Sequence, residues 1–230
     1  MTNDSTTAHI VSLSQPAFFT ILTSSLEAYK VSHSGAPSGI LHVPVETCGN
    51  LWGYQSKTVR KESVLHVSLA DVDTSATRTP SHVVSLDQAL QLKKDFADTY
   101  FPELEYLGDF HSHPYETKDV KTELAVERKT LQERSSADTA WVKDIQKTES
   151  THRLSLITTI FERDNPVARQ EGHVNGDRSC LRFRYDSMTV WIKVYVFQMS
   201  QTDRKHRKVA CKKVAVVCPS IGVHVGTLNV

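Results

Sequence analysis

Two histidines separated by one residue stand at the end of an apolar segment, in the run Gly108-Asp109-Phe110-His111-Ser112-His113-Pro114. A β-strand places residues i and i+2 on the same face, so His111 and His113 can direct both imidazoles at one point. Pro114 has no N–H to give to a neighbouring strand, and we expect it to end the segment. The pair therefore supplies half of a zinc site, although two unrelated histidines in a polar loop would produce the same short pattern.

Two carboxylates and a serine elsewhere in the chain could complete such a site. A catalytic zinc requires three protein ligands, one open position for water, and a base that handles the protons of that water. Downstream of the histidines, Ser135 and Asp138 form a Ser-x-x-Asp pattern. Upstream, Glu46 lies near Gly49 and Gly53, whose missing side chains let another backbone or a substrate come close. Taken alone, Glu46 would also suit a surface carboxylate at the end of a strand.

The order of these residues resembles a known family. Glu46, then His111-Ser112-His113-Pro114, then Ser135 and Asp138 resemble the JAMM (MPN-domain) zinc metalloproteases. The run Glu46-Thr47-Cys48-Gly49-Asn50-Leu51-Trp52-Gly53 is similar to their deubiquitinase branch in particular, and the resemblance covers roughly residues 15 to 160. The spacing departs from the family pattern, because 21 residues, 114 to 134, separate the second histidine from Ser135 where the family usually has a shorter segment.

The resemblance implies a role for each residue. His111, His113 and Asp138 would hold one Zn²⁺, Glu46 would accept the proton of the attacking water and pass it to the leaving amine, and Ser135 would stabilise the tetrahedral oxyanion. The implied activity is a zinc-dependent peptidase or isopeptidase that cleaves after the C-terminal tail of ubiquitin or a ubiquitin-like protein. Two alternatives stay open: an MPN-type scaffold that has lost catalysis and serves as an interaction module, and a different zinc amidase on the same fold.

Asp119, which is closer to the histidines in sequence, is the alternative candidate for the third ligand. Asp138 lies at helical spacing from the apolar residues Trp141, Val142 and Ile145, so it shares the face that must point to the core. A carboxylate on a buried face is unfavourable unless it is paired or binds a metal. Asp119 has no serine three residues before it and little apolar sequence around it. The alternative for Asp138 is an ordinary first-turn carboxylate favoured by the helix dipole.

The periodicity of the chain predicts helices and strands within one domain over residues 1–230. The resemblance to the JAMM family implies an α/β protein of the α+β type with the MPN fold, in which helices flank a mixed, curved sheet. Helices are predicted to begin at Ser14, at a capping box formed by Ser85-Leu86-Asp87-Gln88, and at Ser135. Residues 15–160 form the predicted core, and C-terminal strands follow within 178–217. The remaining predicted strands cover the segments 40–54, 64–72, 104–110 and 153–161. Residues 1–14 are predicted to be irregular, and 114–134 to form an insertion beside the active site, as an exposed helix or a mobile flap.

Composition indicates a soluble globular protein. The 230 residues carry a net charge of +1, which gives no support for a nucleic-acid or membrane partner, and there is no long apolar run. The N-terminus lacks the pattern of a signal peptide. The four cysteines, at positions 48, 180, 211 and 218, have no metal-site spacing, which predicts free thiols in the cytoplasm. A secreted protein with two disulfides is the alternative.

Three other histidines, one cysteine and a basic run are weaker candidates for functional roles. His42, His66 and His206 are weaker metal-ligand candidates, because they lie in strand-like or basic segments. Cys48 is expected to be a small buried residue, since no histidine–asparagine pair that would make it a nucleophile is evident. The basic run Arg204-Lys205-His206-Arg207-Lys208 is interpreted as a solvated loop, with a docking patch as the alternative.

Overall fold

The computed structural model describes residues 8–31, 44–200 and 205–224. The strands are β1 (His9–Leu13), β2 (Cys48–Lys57), β3 (Ser63–Val72), β4 (Thr77–Arg78), β5 (Val83–Val84), β6 (Glu105–Tyr115), β7 (Leu154–Glu162), β8 (Glu171–Val174), β9 (Asp177–Tyr185), β10 (Met188–Met199), β11 (His206–Lys208) and β12 (Val214–Val217). The α-helices are α1 (Gln15–Lys30), α2 (Asp87–Tyr100), α3 (Glu123–Arg128) and α4 (Ser136–Thr148). None of the helices in the described ranges combines the length and apolar character needed to cross a lipid bilayer.

One mixed sheet organises the molecule. Within the described residues it contains ten strands, in the order β12-β1-β3-β2-β6-β7-β10-β9-β8, with β11 paired to β10. The pairs β12–β1, β1–β3 and β6–β7 are parallel, and the others are antiparallel. Nε2 of His173 on β8 lies 2.8 Å from the carbonyl oxygen of Val216 on β12, so the two ends of the strand order approach each other. The prediction of a curved, mixed sheet flanked by helices is confirmed at this level.

The two faces of β6 serve different purposes. Phe110 is fully buried in the main core, where Phe18 and Ile21 of α1 also pack. The helix α1 begins as predicted, because the Ser14 side chain accepts a hydrogen bond from the N–H of Ala17. Since side chains alternate along a strand, the neighbours of Phe110 face the opposite side, where Val142 of α4 is buried. The predicted histidine pair therefore lies between the sheet and α4.

Three sequence-based boundaries were wrong. Residues 9–13, predicted to be irregular, form β1 between β12 and β3, because pairing on both sides stabilises a strand too short to be recognised by periodicity. The helix α2 begins at Asp87 without a side-chain cap, since the Ser85 hydroxyl instead contacts Sγ of Cys48 at 3.2 Å. Pro114 does not end β6. The N–H of Ser112 donates to the carbonyl of Thr47, just before β2, on the side of β6 away from β7. The nitrogen of Pro114, two residues later, faces this side as well, so its missing N–H removes no hydrogen bond to β7.

The insertion, residues 114–134, is packed onto the sheet, so the expected exposed helix or mobile flap is wrong. Val120 and Val126, on either side of the start of α3, are 2% and 0% exposed. They contact a cluster on β7, β9 and β10 that comprises Phe161, Cys180 and Trp191. Tyr115, Ala125 and Leu131 pack against the same cluster, so apolar contacts dock this segment although it carries many charged residues.

The charged residues of α3 have partners on the sheet beneath it. Glu123 accepts hydrogen bonds from Arg163 and from Arg184, the latter at 3.2 Å. Glu127 accepts from Nη1 of Arg182 at 2.8 Å and from the Trp191 indole at 3.0 Å. Charged side chains can lie at such an interface when each has an opposite charge and hydrogen bonds. Composition alone does not distinguish these paired charges from solvated ones.

We expect Val126→Ala to lower the free energy of unfolding by about 1–3 kcal/mol, because it removes two fully buried methyl groups and leaves a cavity. The matched control is Leu124→Ala in the same helix, where the side chain is 52% exposed and the change should stay within about 0.5 kcal/mol. Urea denaturation of both variants measures the difference. Equal, small effects would show that the insertion is not docked as described.

Candidate metal centre

His111 and His113 face the same side of β6, as strand alternation requires. Their Nε2 atoms are 3.2 Å apart, and both side chains are buried. The neighbouring strand β7 pairs in parallel with this part of β6, so Ile157 and Thr159 lie beside the two histidines on the same face. The sheet therefore presents two imidazoles from a rigid strand, with their Nε2 atoms directed at one point.

Asp138 reaches these imidazoles from the first turn of α4. Its Oδ1 lies 3.4 Å from Nε2 of His111, and its Oδ2 lies 3.4 Å from Nε2 of His113. Val142, four residues later on the same helix face, is fully buried and Trp141 packs beside it. The helix is thus oriented by its apolar residues, and Asp138 follows them toward the sheet, as the helical spacing predicted.

These three side chains could hold a metal ion. Their ligand atoms all lie within 4.8 Å of one another. A tetrahedral ion with ligand distances of about 2.0–2.1 Å requires about 3.3 Å between its ligand atoms. The separations of 3.2 and 3.4 Å are close to that value. The two contacts of Asp138 use different oxygens, so the cluster provides three donor groups, and no fourth protein ligand joins them among the described residues.

Asp119 lies outside this cluster. It is exposed, and its Oδ2 accepts a hydrogen bond from the N–H of Glu116 at 3.0 Å. The carboxylate closes a turn at the start of the insertion instead of pointing to the histidines. Of the two aspartates weighed from the sequence, the structure brings only Asp138 to His111 and His113.

The outer nitrogen of each imidazole has an acceptor nearby. Nδ1 of His111 lies 3.6 Å from Oδ2 of Asp109, and Nδ1 of His113 lies 3.5 Å from the carbonyl oxygen of Leu131. Asp109 is itself buried, with Oδ1 at 2.7 Å from Nε2 of His152. Acceptors of this kind orient the ring and leave the other nitrogen free for a metal. The insertion contributes one of these acceptors, so it supports the site from outside.

These outer residues were not predicted from the sequence. Asp109 precedes His111 by two positions, so the alternation that aligns the histidines could also have identified it. His152 and Leu131 come from separate segments and left no local signal. Their positions depend on β7 following α4 and on the packing of the insertion.

Buried carboxylates control the protonation of the site. Burial opposes the charged form of His111, but Asp109 and Asp138 outweigh that effect and raise the pKa of His111 to about 9. Burial also opposes ionisation of Asp138, yet its contacts with His111 and His113 hold its pKa well below the usual range. Asp138 is therefore a carboxylate at neutral pH, the form in which it can bind a cation.

Glu46 is held beside the histidines by the residue between them. Ser112 exchanges two hydrogen bonds with Thr47: the N–H of Thr47 donates to the serine hydroxyl at 3.0 Å, and the N–H of Ser112 donates to the Thr47 carbonyl at 2.9 Å. Glu46 is only 8% exposed. Burial raises the pKa of Glu46 to about 7, with His111 opposing the shift and Asp138 adding to it. A carboxyl group with this pKa can both accept and return a proton near neutral pH.

Ser135 fixes the start of α4. Its hydroxyl accepts a hydrogen bond from the N–H of Asp138 at 3.1 Å, and its own N–H donates to Oδ2 of Asp138 at 2.7 Å. This reciprocal pair is a capping box, and it orients the carboxylate that faces the histidines. Ser135 itself is exposed, and a hydroxyl that accepts one hydrogen bond still has a proton to donate.

A narrow groove leads to the cluster. It has a volume of 210 Å³ and is lined on one side by residues 81–85, around the β4–β5 hairpin, and on the other by Ala137 and Trp141. Glu46 and His111 lie on its wall as well. A second cavity of 310 Å³ shares Trp141 and continues between the beginning of α2 and the length of α4. Together they form an elongated path toward the three ligands.

The two glycines near Glu46 allow β3 to approach β2 closely, and Gly49 also lines the second cavity. A Cβ atom at Gly49 would lie 1.8 Å from the carbonyl oxygen of Asp71, and one at Gly53 would lie 1.7 Å from that of His66. The backbone that approaches them is β3. Residues 115–134 do not line either cavity, so the hairpin and α4 form the described walls.

The remaining candidate residues are not part of the cluster, although Cys48 pairs with His111 and lines the groove. Cys48 is buried, and burial raises its pKa to about 11, so it is a neutral thiol. All four cysteines are free. His66 stacks on the exposed ring of Tyr54, and His206 is on β11. His42 lies outside the described residues.

Comparison with known proteins identifies no relative for this chain. A scan against protein-family models finds no match, and a search of curated proteins finds none either. The similarity to the JAMM family therefore depends on the residues quoted above, and any function must be argued from the site itself.

We expect Asp138→Ala to weaken zinc binding by more than about 100-fold, because removing a metal ligand lowers the affinity more than removing a residue that only orients a ligand. Asp119→Ala is the matched control and should bind zinc like the unmodified protein, since its carboxylate only closes a turn. Elemental analysis and chelator competition on the purified proteins measure both. Normal zinc affinity in Asp138→Ala, or a loss confined to Asp119→Ala, would show that the ligand has been misassigned.

Proposed function

We propose that the protein is a zinc-dependent hydrolase that cleaves an amide or isopeptide bond. The observation that carries this proposal is the convergence of His111, His113 and Asp138, whose ligand atoms lie within 4.8 Å of one another, with the buried carboxyl of Glu46 and a groove beside them. A purely structural metal site closes all four positions with protein ligands. Three ligands beside a base and a groove are the arrangement expected of a catalytic centre.

Zinc is the metal that suits these donors best. Two imidazoles and one carboxylate are a common ligand set for catalytic zinc, whereas calcium and magnesium prefer oxygen ligands alone. The spacing between the ligand atoms also favours a small, four-coordinate ion. When bound, zinc would supply a Lewis acid that polarises a carbonyl group and makes water more acidic.

Groups of the protein itself would transfer the proton, stabilise the oxyanion and orient the metal ligands. Glu46 would take the proton from the attacking water and deliver it to the nitrogen of the leaving amine, which is too basic to depart without it. The hydroxyl of Ser135 would donate a hydrogen bond to the oxyanion of the tetrahedral intermediate. Asp109 and the Leu131 carbonyl would keep the imidazoles oriented.

The shape of the groove suits an extended polypeptide segment as substrate. The two adjoining cavities form a narrow path past Trp141, bordered by the β4–β5 hairpin. An extended chain can lie along such a hairpin as an additional strand. The C-terminal tail of ubiquitin or a ubiquitin-like protein is a substrate of this kind, and the resemblance to the JAMM family, with its MPN fold, supports it.

Two alternatives are separable from this proposal. An inactive scaffold would retain the fold and could retain zinc, but it would hydrolyse neither ubiquitin-like fusions nor short peptides. Another zinc amidase would cleave small peptides and ignore ubiquitin-like fusions. The buried Glu46 beside the groove favours an active enzyme over the scaffold, because a scaffold has no need of a buried carboxyl group there.

We expect Glu46→Gln to keep its zinc and to lose at least about 100-fold in turnover, because the substitution removes a base and not a ligand. The control Glu116→Gln alters a carboxylate that does not line the groove and should leave turnover unchanged. Zinc content and hydrolysis of a panel of ubiquitin-like fusions and short peptides are measured on the same preparations. Loss of zinc from Glu46→Gln would make Glu46 a ligand, and full turnover would exclude it as the base.

A further inference from the structure

A second polar site lies at the opposite end of the strands from the metal centre. Cys48 at the start of β2 pairs with His111, so Lys57 at the end of β2 lies at the far end of the sheet. There a groove of 840 Å³ opens between the strand group β1, β2 and β3 and the strand β11. This basic groove is defined by its charged lining residues Lys57, Lys61, Arg207, Lys208 and Lys213.

The charge of the basic groove is of one sign. Among the described residues that line it, five are lysine or arginine and none is aspartate or glutamate. These residues are exposed, so solvent screens their mutual repulsion, but positive charges gathered around one cavity create a local positive potential that attracts anions. Lys61 also adopts a left-handed backbone conformation, with φ of 64°, which is uncommon for a lysine and places it in the turn before β3.

An unpartnered buried histidine lies in the same groove. His9 is 6% exposed, and its Nδ1 is buried without a hydrogen-bond partner. The backbone of β1 fixes this residue in place, because His9 pairs with Ser63 on one side and Val214 on the other. Burial and the nearby Lys213 lower the pKa of His9, so it is neutral near pH 7 and can donate one ring N–H.

A neighbouring cavity extends this set of donors. It shares His9 with the basic groove and is also lined by Arg153 and His206. Both ring nitrogens of His206 are buried without a partner. Buried polar atoms normally have partners, and several orphans at one place indicate a ligand that supplies acceptors. His206, a member of the basic run noted in the sequence, thus borders a cavity that contains unpartnered ring nitrogens.

We propose that the basic groove binds a small molecule that carries two or more phosphate groups. Phosphate oxygens accept several charge-assisted hydrogen bonds at once. The lysine ammonium binds them as a point charge and, unlike the planar guanidinium of arginine, requires no fixed orientation of the phosphate group. The volume of 840 Å³ lies within the usual range for small-molecule sites, which is about 300–1,000 Å³. The groove is open to solvent, but its lining residues are all gathered at one end of the sheet and do not form a long track, so a phosphorylated small molecule fits it better than a polymer.

Calorimetric titration of the full-length protein with inorganic tripolyphosphate tests the assignment, with ATP as a second probe. We expect binding that weakens on raising salt from about 50 to about 200 mM, because screening reduces contacts between exposed charges. The double variant Lys57→Gln/Lys213→Gln should weaken binding at least ~10-fold through the loss of two charge-assisted contacts. The matched control Lys121→Gln/Lys129→Gln removes the same charge from the insertion and should leave binding unchanged.

Two further variants make the outcome specific to this groove. His9→Gln should also weaken tripolyphosphate binding, with circular dichroism confirming that the fold is kept. His113→Ala should bind tripolyphosphate normally, which separates this site from the metal centre and makes the result independent of the proposed hydrolase. The proposal is overturned if binding survives in the lysine double variant, if it disappears in His113→Ala, or if only a single-stranded oligonucleotide binds.

Discussion

The carboxylate of Asp138, held between the imidazoles of His111 and His113, is the arrangement on which the surrounding structure depends. A carboxylate with only a sixth of its side chain exposed would be unfavourable without partners, and here both oxygens face an Nε2 atom at 3.4 Å. The helix α4 holds it there because Val142 is anchored in the core and Ser135 caps the first turn. Apolar packing thus fixes the position of a charged group, and the histidines compensate its charge.

The long segment between the histidines and Ser135 is compatible with this geometry because it is itself folded. The entropy of closing a loop grows only with the logarithm of its length, so added residues are tolerated when they find contacts of their own. Here Val120 and Val126 are buried, and Glu123 and Glu127 pair with Arg163, which follows β7, and with arginines of β9. The segment then returns along His113, where the Leu131 carbonyl faces its outer nitrogen. An insertion that could have separated the ligands instead supports one of them.

Charge is distributed unevenly along the strands. The end near His113 holds buried carboxylates close to histidines, whereas the opposite end gathers lysines and an arginine around one groove. The net charge of +1 hides this separation, because it sums over the whole surface. Binding of charged ligands depends on the local field. The order of strands in the sheet creates this field by bringing together residues from β2, β11 and the segment before β12.

The sequence by itself determined those features that depend on local periodicity. The spacing of His111 and His113 fixed their common face, the helical spacing from Asp138 to Val142 fixed the direction of the carboxylate, and Ser14 predicted the start of α1. The tertiary structure alone decided whether charged and short segments are buried. Residues 9–13 became a central strand because two neighbours pair with them, and the charged insertion packed because its partners come from distant strands. Asp109, His152 and Leu131 come together only when β6, β7 and the insertion are in contact. Local sequence patterns do not predict such contacts, because the segments involved are far apart in the chain.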